Sequence, residues 1–441
     1  LLPDSGYVVN RRANVPAAVP GTLNCMRMRP RRFDVAIIGA GIVGLSTARE
    51  ISASFPQLQV GVLEKEPTLA AHQTGHNSGV IHSGVYYRPG SLKARFCVQG
   101  AAEMIRFCRT HGIPHEICGK VIVATEDSQK PALDELHRRA AANGVPGVRM
   151  LAAREIRDYE PHASGVAALL VPGTGITSFR QVGEKYAELA RASGVQIQTS
   201  SAVHGIRNGN SEFTIETSSG SYNARFLINC AGLHSDRIAR LAGADLPLRI
   251  IPFRGEYYEL RPERRHLVRT LIYPVPDPRF PFLGVHFTRK VTGGVEAGPN
   301  AVLALKREGY TKTAFDPADA LDELGFPGFW RMAKKYWKTG FAEMYRSFNK
   351  RAFVAALRKL LPEVQEEDLI NGSAGVRAQA VDRNGALVDD FQFVTQARAL
   401  HVCNVPSPAA TASLPIGRHI VEVAARDFGW NQNGRPVSAP Q

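Results

Sequence analysis

Cysteine is scarce and never closely paired. Six thiols are spread over 441 residues, at Cys25, Cys97, Cys108, Cys118, Cys230 and Cys403, and no two stand in a Cys-X-X-Cys spacing. This argues against a zinc ribbon and a dense disulfide framework, and predicts buried free thiols in a reducing compartment. Long apolar runs are also missing. No uncharged stretch approaches the roughly 18 residues that a membrane-spanning helix needs. There is no internal repeat and no low-complexity tract, and hydrophobic residues make up 44% and charged residues 21%. Such usage excludes a disordered chain, a collagen and a coiled coil. Acids are the under-represented charge, 40 against 54 Lys and Arg, for a formal net charge of +14. A field of that sign attracts anions, whether nucleic acid, anionic lipid or an acidic metabolite. At roughly 100–200 residues per domain, the length suggests two or three domains, or two large interleaved ones able to hide a large cofactor.

Residues 1–32 carry six arginines and one acid, Asp4, with no apolar core. That excludes a secretory signal and has the composition of a mitochondrial transit peptide. Folded structure is expected from about Phe33, and residues 431–441 are expected to form a tail.

Phe33–Ile38 is a short β-rich run, followed by Gly39-Ala40-Gly41-Ile42-Val43-Gly44, a helical stretch to about Ser54, a second strand over Gln59–Leu63 and an acid, Glu64. This order is a dinucleotide-binding unit. Gly39 permits the tight turn, Gly41 lets a pyrophosphate approach the backbone, and Gly44 lets the helix pack on the strand. The helix N-terminus offers free N–H groups to phosphate, and Glu64 accepts from a ribose hydroxyl, which disfavours NADP. The chain then leaves for a His/Gly-rich segment, Ala71–Gly90, instead of completing an NAD-type sheet. A strand-like run at Ala224–Ile228 ends in Asn229-Cys230-Ala231-Gly232, a small-residue turn suited to close approach of a cofactor. Together these features favour FAD over NAD, with Ala231 and Gly232 as cofactor contacts.

Several longer strings carry a resemblance: Thr74–Gly90, Ser91–Ala94, Pro252–Tyr257, Ile272–Phe287, Gly298–Tyr310, Gly375–Ala380 and Pro406–Ala412. On them the chain resembles the L-2-hydroxyglutarate dehydrogenase family, of the D-amino-acid-oxidase-like flavoprotein superfamily, from about residue 33 to 425. Val405 departs from the family's usual Ala. The resemblance implies a two-domain α/β FAD-dependent oxidoreductase with a Rossmann-like FAD domain and a mixed-sheet, α+β substrate domain. The FAD domain is expected over 33–95, 172–240 and 370–430, and the substrate domain over 96–171 and 241–369. It also implies oxidation of L-2-hydroxyglutarate to 2-oxoglutarate in mitochondria.

Such a reaction removes a hydroxyl proton and moves a hydride from C2 to flavin N5. A positioned base helps, and two carboxylates must be held, for which the planar fork of Arg is suited. Arg377, on a late strand, is expected to clamp one carboxylate. Arg254 either holds the distal carboxylate or fixes the domain junction, and Tyr257 or Tyr258 caps that end. His286, in the β-like run Phe282–Phe287, and His82, in the segment beside the flavin, are the alternative bases, since a neutral imidazole accepts a proton near neutral pH. Ser78, Gly79, Ala409 and Ala410 are expected at the flavin, with the last helix, about Ile416–Arg426, directing its N-terminus there. Lys120 is expected to face solvent. His72, His76 and His82 lack metal-site spacing, so no metal is expected.

Residues 329–360 stand apart. From Arg331 to Lys359 there are nine Lys/Arg and one acid, Glu343, while Trp330, Trp337, Phe341, Tyr345 and Phe348 recur at 3-, 4- and 7-residue spacings. That is one helical face. It suits an anionic membrane surface, or an internal helix with a solvated basic face. Nucleic-acid motifs are absent and no nucleic acid is expected. No second NAD site is encoded, which leaves oxygen, a quinone or another flavoprotein as electron acceptor, and the dehydrogenase resemblance implies one in the respiratory chain. The alternatives are a related amino-acid or glycerol-phosphate oxidase, or a non-catalytic basic flavoprotein on membrane or nucleic acid.

Overall fold

A computed structural model describes residues 31–276 and 284–430. The transit-peptide reading of the leader, Cys25, the 431–441 tail and the start of the run before His286, Phe282 and Leu283, lie outside the described residues.

The first strand, Arg31–Ile38, starts slightly before the expected Phe33 because Arg31 and Arg32 pair with Tyr222 and Asn223. Val35, Ala36 and Ile37 are fully buried, as a strand covered on both faces requires. It lies between Val60–Leu63 and Gly220–Asn229, parallel to both. Gln196–Gln198 and Ala399–Asn404 extend the parallel core at either side. Antiparallel strands Val203–Asn208, Phe213–Thr217 and Gln392–Gln396 complete an eight-stranded sheet. The helix Ile42–Ser54 follows the glycine loop, and its Leu45, Ala48 and Ile51 bury against Tyr186 of the helix Phe179–Ala192 and Ile420 of Ser413–Asp427.

The second sheet has nine strands and is mixed. Its spine is a long antiparallel pair, Leu248–Leu260 with Leu369–Asp382. Lys120–Ala124, Leu271–Pro274 and His286–Arg289 lie side by side toward the other end. Alternation divides the residues between two faces. Val121, Val123 and Ile272 pack with Phe287 and Phe353 on one side, while Ile122, Leu271 and Tyr273 pack with Leu133 and Leu136 on the other.

Two expected domain limits shift. The helix Leu92–Thr110 buries Phe96, Met104 and Phe107 in the core of the first sheet, so residues 96–110 belong with the dinucleotide part. Leu369–Asp382 belongs to the second sheet, because its backbone partners are in Leu248–Leu260. The last helix spans Ser413–Asp427, slightly longer than expected. The five described cysteines are free, four buried and Cys118 half-buried.

The basic aromatic segment forms the helix Pro327–Phe348, then Lys350–Arg358. Phe329 is buried and anchors the first helix with Met332, and Phe353 anchors the second. Trp330, Trp337, Phe341, Tyr345 and Phe348 are 55–72% exposed. These rings therefore do not pack inward on the substrate part. Among the described residues no helix is long and apolar enough to cross a membrane.

Candidate functional site

The glycine loop is shaped by contact. Gly39 has φ +101°, and a Cβ there would sit 2.6 Å from the Cys230 carbonyl oxygen. A Cβ on Gly44 would overlap the Gly39 carbonyl oxygen, so this glycine sets how closely the helix meets the loop. At Gly41 the nearest atom to an added Cβ is Thr74 Oγ1, at 3.5 Å, which leaves that side open to a ligand. Thr74 Oγ1 also accepts from the Ile42 N–H at 2.9 Å, organising the helix start. Glu64 is buried and rigidly held, its carboxylate accepting from the N–H groups of Ala40 at 2.7 Å and Glu66 at 2.9 Å.

A cavity of about 1150 Å³ begins at this loop and runs between the two sheets. Gly39, Gly41, Glu64, Ser78, Ala231, Gly232, Ala409 and Ala410 all line it. Gly44 lies behind the loop. Gly79 is displaced from the wall by a turn with φ +72°, and its N–H donates to Asn77 Oδ1 at 2.9 Å. Thr411 ties two walls together: its Oγ1 accepts from the His82 N–H at 3.1 Å and donates to the Val80 carbonyl at 3.2 Å. Ala409–Thr411 directly precede the helix Ser413–Asp427, so that helix begins at the cavity wall.

His82, Tyr257, Tyr273, His286 and Arg377 meet along the same cavity. His286 is buried, its ring stacked on Tyr273 at 3.8 Å between centroids. Nδ1 must donate to the Gly284 carbonyl at 2.8 Å, because a carbonyl only accepts. In the neutral ring Nε2 is thereby the acceptor. Burial, with Lys120 and Arg377 nearby, pushes its pKa down to about 3. His82 is held well below the usual imidazole range by burial, then by Lys120 and His286, and its Nδ1 has no hydrogen-bond partner among the described residues. Burial pushes the Tyr257 hydroxyl up to about 12, opposed by Arg377.

Three expectations are corrected. Arg254 is not in the cavity wall. Its guanidinium is buried against Glu256, with Nε at 3.0 Å and Nη2 at 2.9 Å from Oε1, and Nη1 donates to the Thr311 carbonyl at 2.9 Å. Both partners, Glu256 and Thr311, lie in the second part of the chain, so these bonds brace that part internally. Tyr258 points away from the cavity, edge-on to Phe353 at 4.9 Å. Both misses follow from alternation: Gly255 and Tyr257 line the cavity, whereas Arg254 and Tyr258 do not. Lys120 is fully buried, not solvated. Its strand is buried at every position, so the alternation offers it no outward side.

His72, His76 and His82 do not form one cluster. His72 instead lies with Glu66 and Glu308, ligand-type atoms within 4.8 Å of one another. The Lys65 ammonium sits among them, 2.8 Å from Glu308 Oε1, and His234 Nε2 is 2.9 Å from the same oxygen. These ion pairs hold the Glu308 carboxyl down at about 2 despite its burial. Local sequence carries no sign of this cluster, since Glu308 is brought in from the second part of the chain.

The family model for FAD dependent oxidoreductases matches residues 34–423. The chain belongs to that family. An L-2-hydroxyglutarate dehydrogenase of Indibacter alkaliphilus is 53% identical to it, over 90% of this chain and all 100% of that one. The mitochondrial L-2-hydroxyglutarate dehydrogenase of Homo sapiens is 45% identical, covering 90% of this chain and 89% of the relative. Among solved structures, the FAD-bound L-alpha-glycerophosphate oxidase of Mycoplasma pneumoniae superposes with a TM-score of 0.74 at 23% identity, over 92% of this chain and 97% of that one. The glycine oxidase of Geobacillus kaustophilus gives 0.66 at 16%, over 90% and 95%. These two likenesses are of fold. The open side of Gly41 and the buried Glu64 carboxylate fit the dinucleotide that the family name requires.

Proposed function

We propose that this enzyme oxidises L-2-hydroxyglutarate to 2-oxoglutarate, the substrate named for its dehydrogenase relatives. One observation carries the reading: an arginine, a tyrosine and a histidine whose Nε2 is the acceptor nitrogen, Arg377, Tyr257 and His286, share the wall of the cavity that begins at the glycine loop. FAD, when bound, supplies the acceptor for the C2 hydride. The N–H groups at Gly41 and Ile42, the Glu64 carboxylate, Ser78, Ala231, Gly232 and the Ala409–Ala410 backbone are the groups to hold it.

Arg377 holds one substrate carboxylate through its planar fork, and Tyr257 donates its hydroxyl hydrogen to the same end. His286 Nε2 accepts the hydroxyl proton. In the free protein its proton affinity is low, and a bound dianion raises it by favouring the imidazolium. The base therefore gains strength when substrate is present. His82 completes the wall and is the second candidate for the proton. His286 is buried among these groups, and the lower local dielectric there strengthens the charge interactions on it.

The acceptor for the electrons is read as a quinone or another flavoprotein, because the chain carries one dinucleotide loop. The exposed rings and cations of Pro327–Phe348 support peripheral docking on an anionic membrane, where such an acceptor resides. The Arg-rich composition of residues 1–32 supports a mitochondrial address, the one that the human relative's name carries.

The test is anaerobic mixing of FAD-loaded protein with L-2-hydroxyglutarate. Bleaching of the flavin absorbance is expected. No bleaching by this acid, with bleaching by glycerol 3-phosphate or an amino acid, refutes the substrate.

A further inference from the structure

A dicarboxylate needs two positive partners, and Arg377 supplies one. Arg254 is spent on Glu256. Of the other cations in the cavity wall, Lys65 is paired with Glu66 and Glu308, Lys93 with Asp389, Arg139 with Glu135, and Arg237 with Asp319 and Asp322, while Arg88 is exposed to solvent at the rim. Directly behind the wall lies Lys120, fully buried, its Nζ without a hydrogen-bond partner among the described residues. Two tyrosine rings hold it instead: Nζ is 4.2 Å from the Tyr273 centroid and 5.1 Å from that of Tyr86. Both tyrosines line the cavity, and Tyr273 carries the His286 ring.

An ammonium removed from water needs a counter-charge. Ring faces attract a cation and repay part of that cost. The titratable groups around Lys120 are the histidines His82 and His286, the tyrosines Tyr86 and Tyr273, and the thiols Cys97 and Cys118. Among the described residues no carboxylate is one of them. The neighbouring strand Ala167–Val171 carries no ionisable side chain.

We propose that Lys120 is a positioning residue that supplies the second positive charge for a dicarboxylate bound at the Arg377 end, acting through Tyr273 and His286 without touching the substrate. In the free protein the ammonium has no anion and releases its proton readily; burial brings its pKa to about 7. A dianion entering the cavity restores the proton. Binding of the dicarboxylate and protonation of Lys120 are therefore linked, and each favours the other.

The linkage has its own pH window. Burial holds His286 and His82 far below neutrality, while it raises Cys97, Cys118, Tyr86 and Tyr273 above their ordinary values. Between these two groups Lys120 is the member of the cluster that titrates. The protonated form binds the dianion, so affinity is full below the free pKa and falls as pH rises through it.

This inference rests on the dicarboxylate reading, and its test separates the two. FAD-loaded wild type and Lys120→Met are titrated with glutarate, which has both carboxylates and no hydroxyl to oxidise, and the flavin absorbance is followed. For wild type, glutarate Kd is expected to rise about tenfold between roughly pH 6 and pH 9, one pK unit of coupling. For Lys120→Met it should be flat and equal to the wild-type value at high pH. Lys120→Gln serves if the Met variant does not retain FAD. A variant that keeps the wild-type pH slope, or one weakened equally at every pH, overturns the role of Lys120 alone. Wild type that is bleached by a substrate without two carboxylates and ignores glutarate overturns the dicarboxylate reading, and this inference with it.

Discussion

Replacing Gly44 by Ala, beside Gly41 by Ala, separates packing from cofactor approach. At Gly44 the added methyl overlaps a backbone carbonyl, that of Gly39, and also lies 3.3 Å from the Cys230 Cβ. Neither neighbour is the far end of a flexible side chain. The helix Ile42–Ser54 must retreat by roughly 1 Å, and overpacking of this kind costs about 1–3 kcal/mol. The retreat carries the N–H groups at Ile42 away from the phosphates, so both stability and FAD affinity should fall. If the whole cost appears in binding, FAD Kd rises about 5- to 150-fold. At Gly41 the methyl meets only Thr74 Oγ1, at 3.5 Å, and φ is −76°, which alanine adopts freely. Gly41→Ala should therefore leave the unfolding midpoint of the FAD-free protein unchanged while weakening FAD, because the methyl occupies the open side. The assay is FAD titration of apoprotein by flavin fluorescence, with urea unfolding of the same samples. If Gly44→Ala unfolds like wild type and binds FAD within twofold, the contact argument is wrong. If Gly41→Ala binds FAD normally, the pyrophosphate does not approach on that side.

Four further outcomes are expected. Arg377→Lys keeps the charge but loses the two-pronged fork, so kcat/KM for L-2-hydroxyglutarate should drop about ten- to a hundredfold, or roughly 1.5–3 kcal/mol, at unchanged FAD content; wild-type kinetics would refute the clamp. Asp236 is fully buried and pairs with the buried Arg307, whose Nη2 is 2.9 Å from Oδ2; Asp236→Ala leaves Asp322, also 2.9 Å from Nη2, as the remaining anion, and loss of the charge-assisted bonds should cost about 1.5–3 kcal/mol in urea unfolding, and a loss under about 0.5 kcal/mol contradicts it. Burial depresses the His286 pKa to about 3, so the ring is neutral above that value and log kcat/KM should show no imidazole limb between about pH 5 and pH 8; an acid limb centred near 6.5 counts against it as the base. Liposomes containing cardiolipin should float with the protein at low salt, and Trp337→Ser with Phe341→Ser should weaken this, since both rings are exposed on the basic helix; no flotation of wild type ends the docking reading.

The dinucleotide unit was legible in the sequence because its parts are contiguous. Gly39, Gly41 and Gly44 stand together in one loop, Gly44 meets the Gly39 carbonyl five residues back, and the helix over Ile42–Ser54 and strand over Val60–Leu63 follow in chain order. The aromatic face of Pro327–Phe348 was legible for the same reason, since helical spacing places Trp337, Phe341 and Tyr345 together whatever surrounds them. That those rings stand in solvent was decided by the tertiary structure, because an amphipathic pattern does not say which face is covered.

The substrate end was decided mostly in three dimensions. Arg254, Tyr257 and Tyr258 lie within one strand, and only its place in the sheet selects Tyr257 for the cavity and turns Arg254 to Glu256. Lys120 reads as a polar residue at a strand start, and it is interior because strands pack on both sides of Lys120–Ala124. The domain limits erred where pairing is long-range: Leu369–Asp382 finds its partner in Leu248–Leu260, across more than a hundred intervening residues. Local steric rules travel with the chain, so the sequence carried the cofactor loop. The surroundings of a charge are set by elements remote in sequence, so burial of Lys120, pairing of Glu308 with Lys65 and His234, and the meeting of His286 with Arg377 came from the tertiary structure.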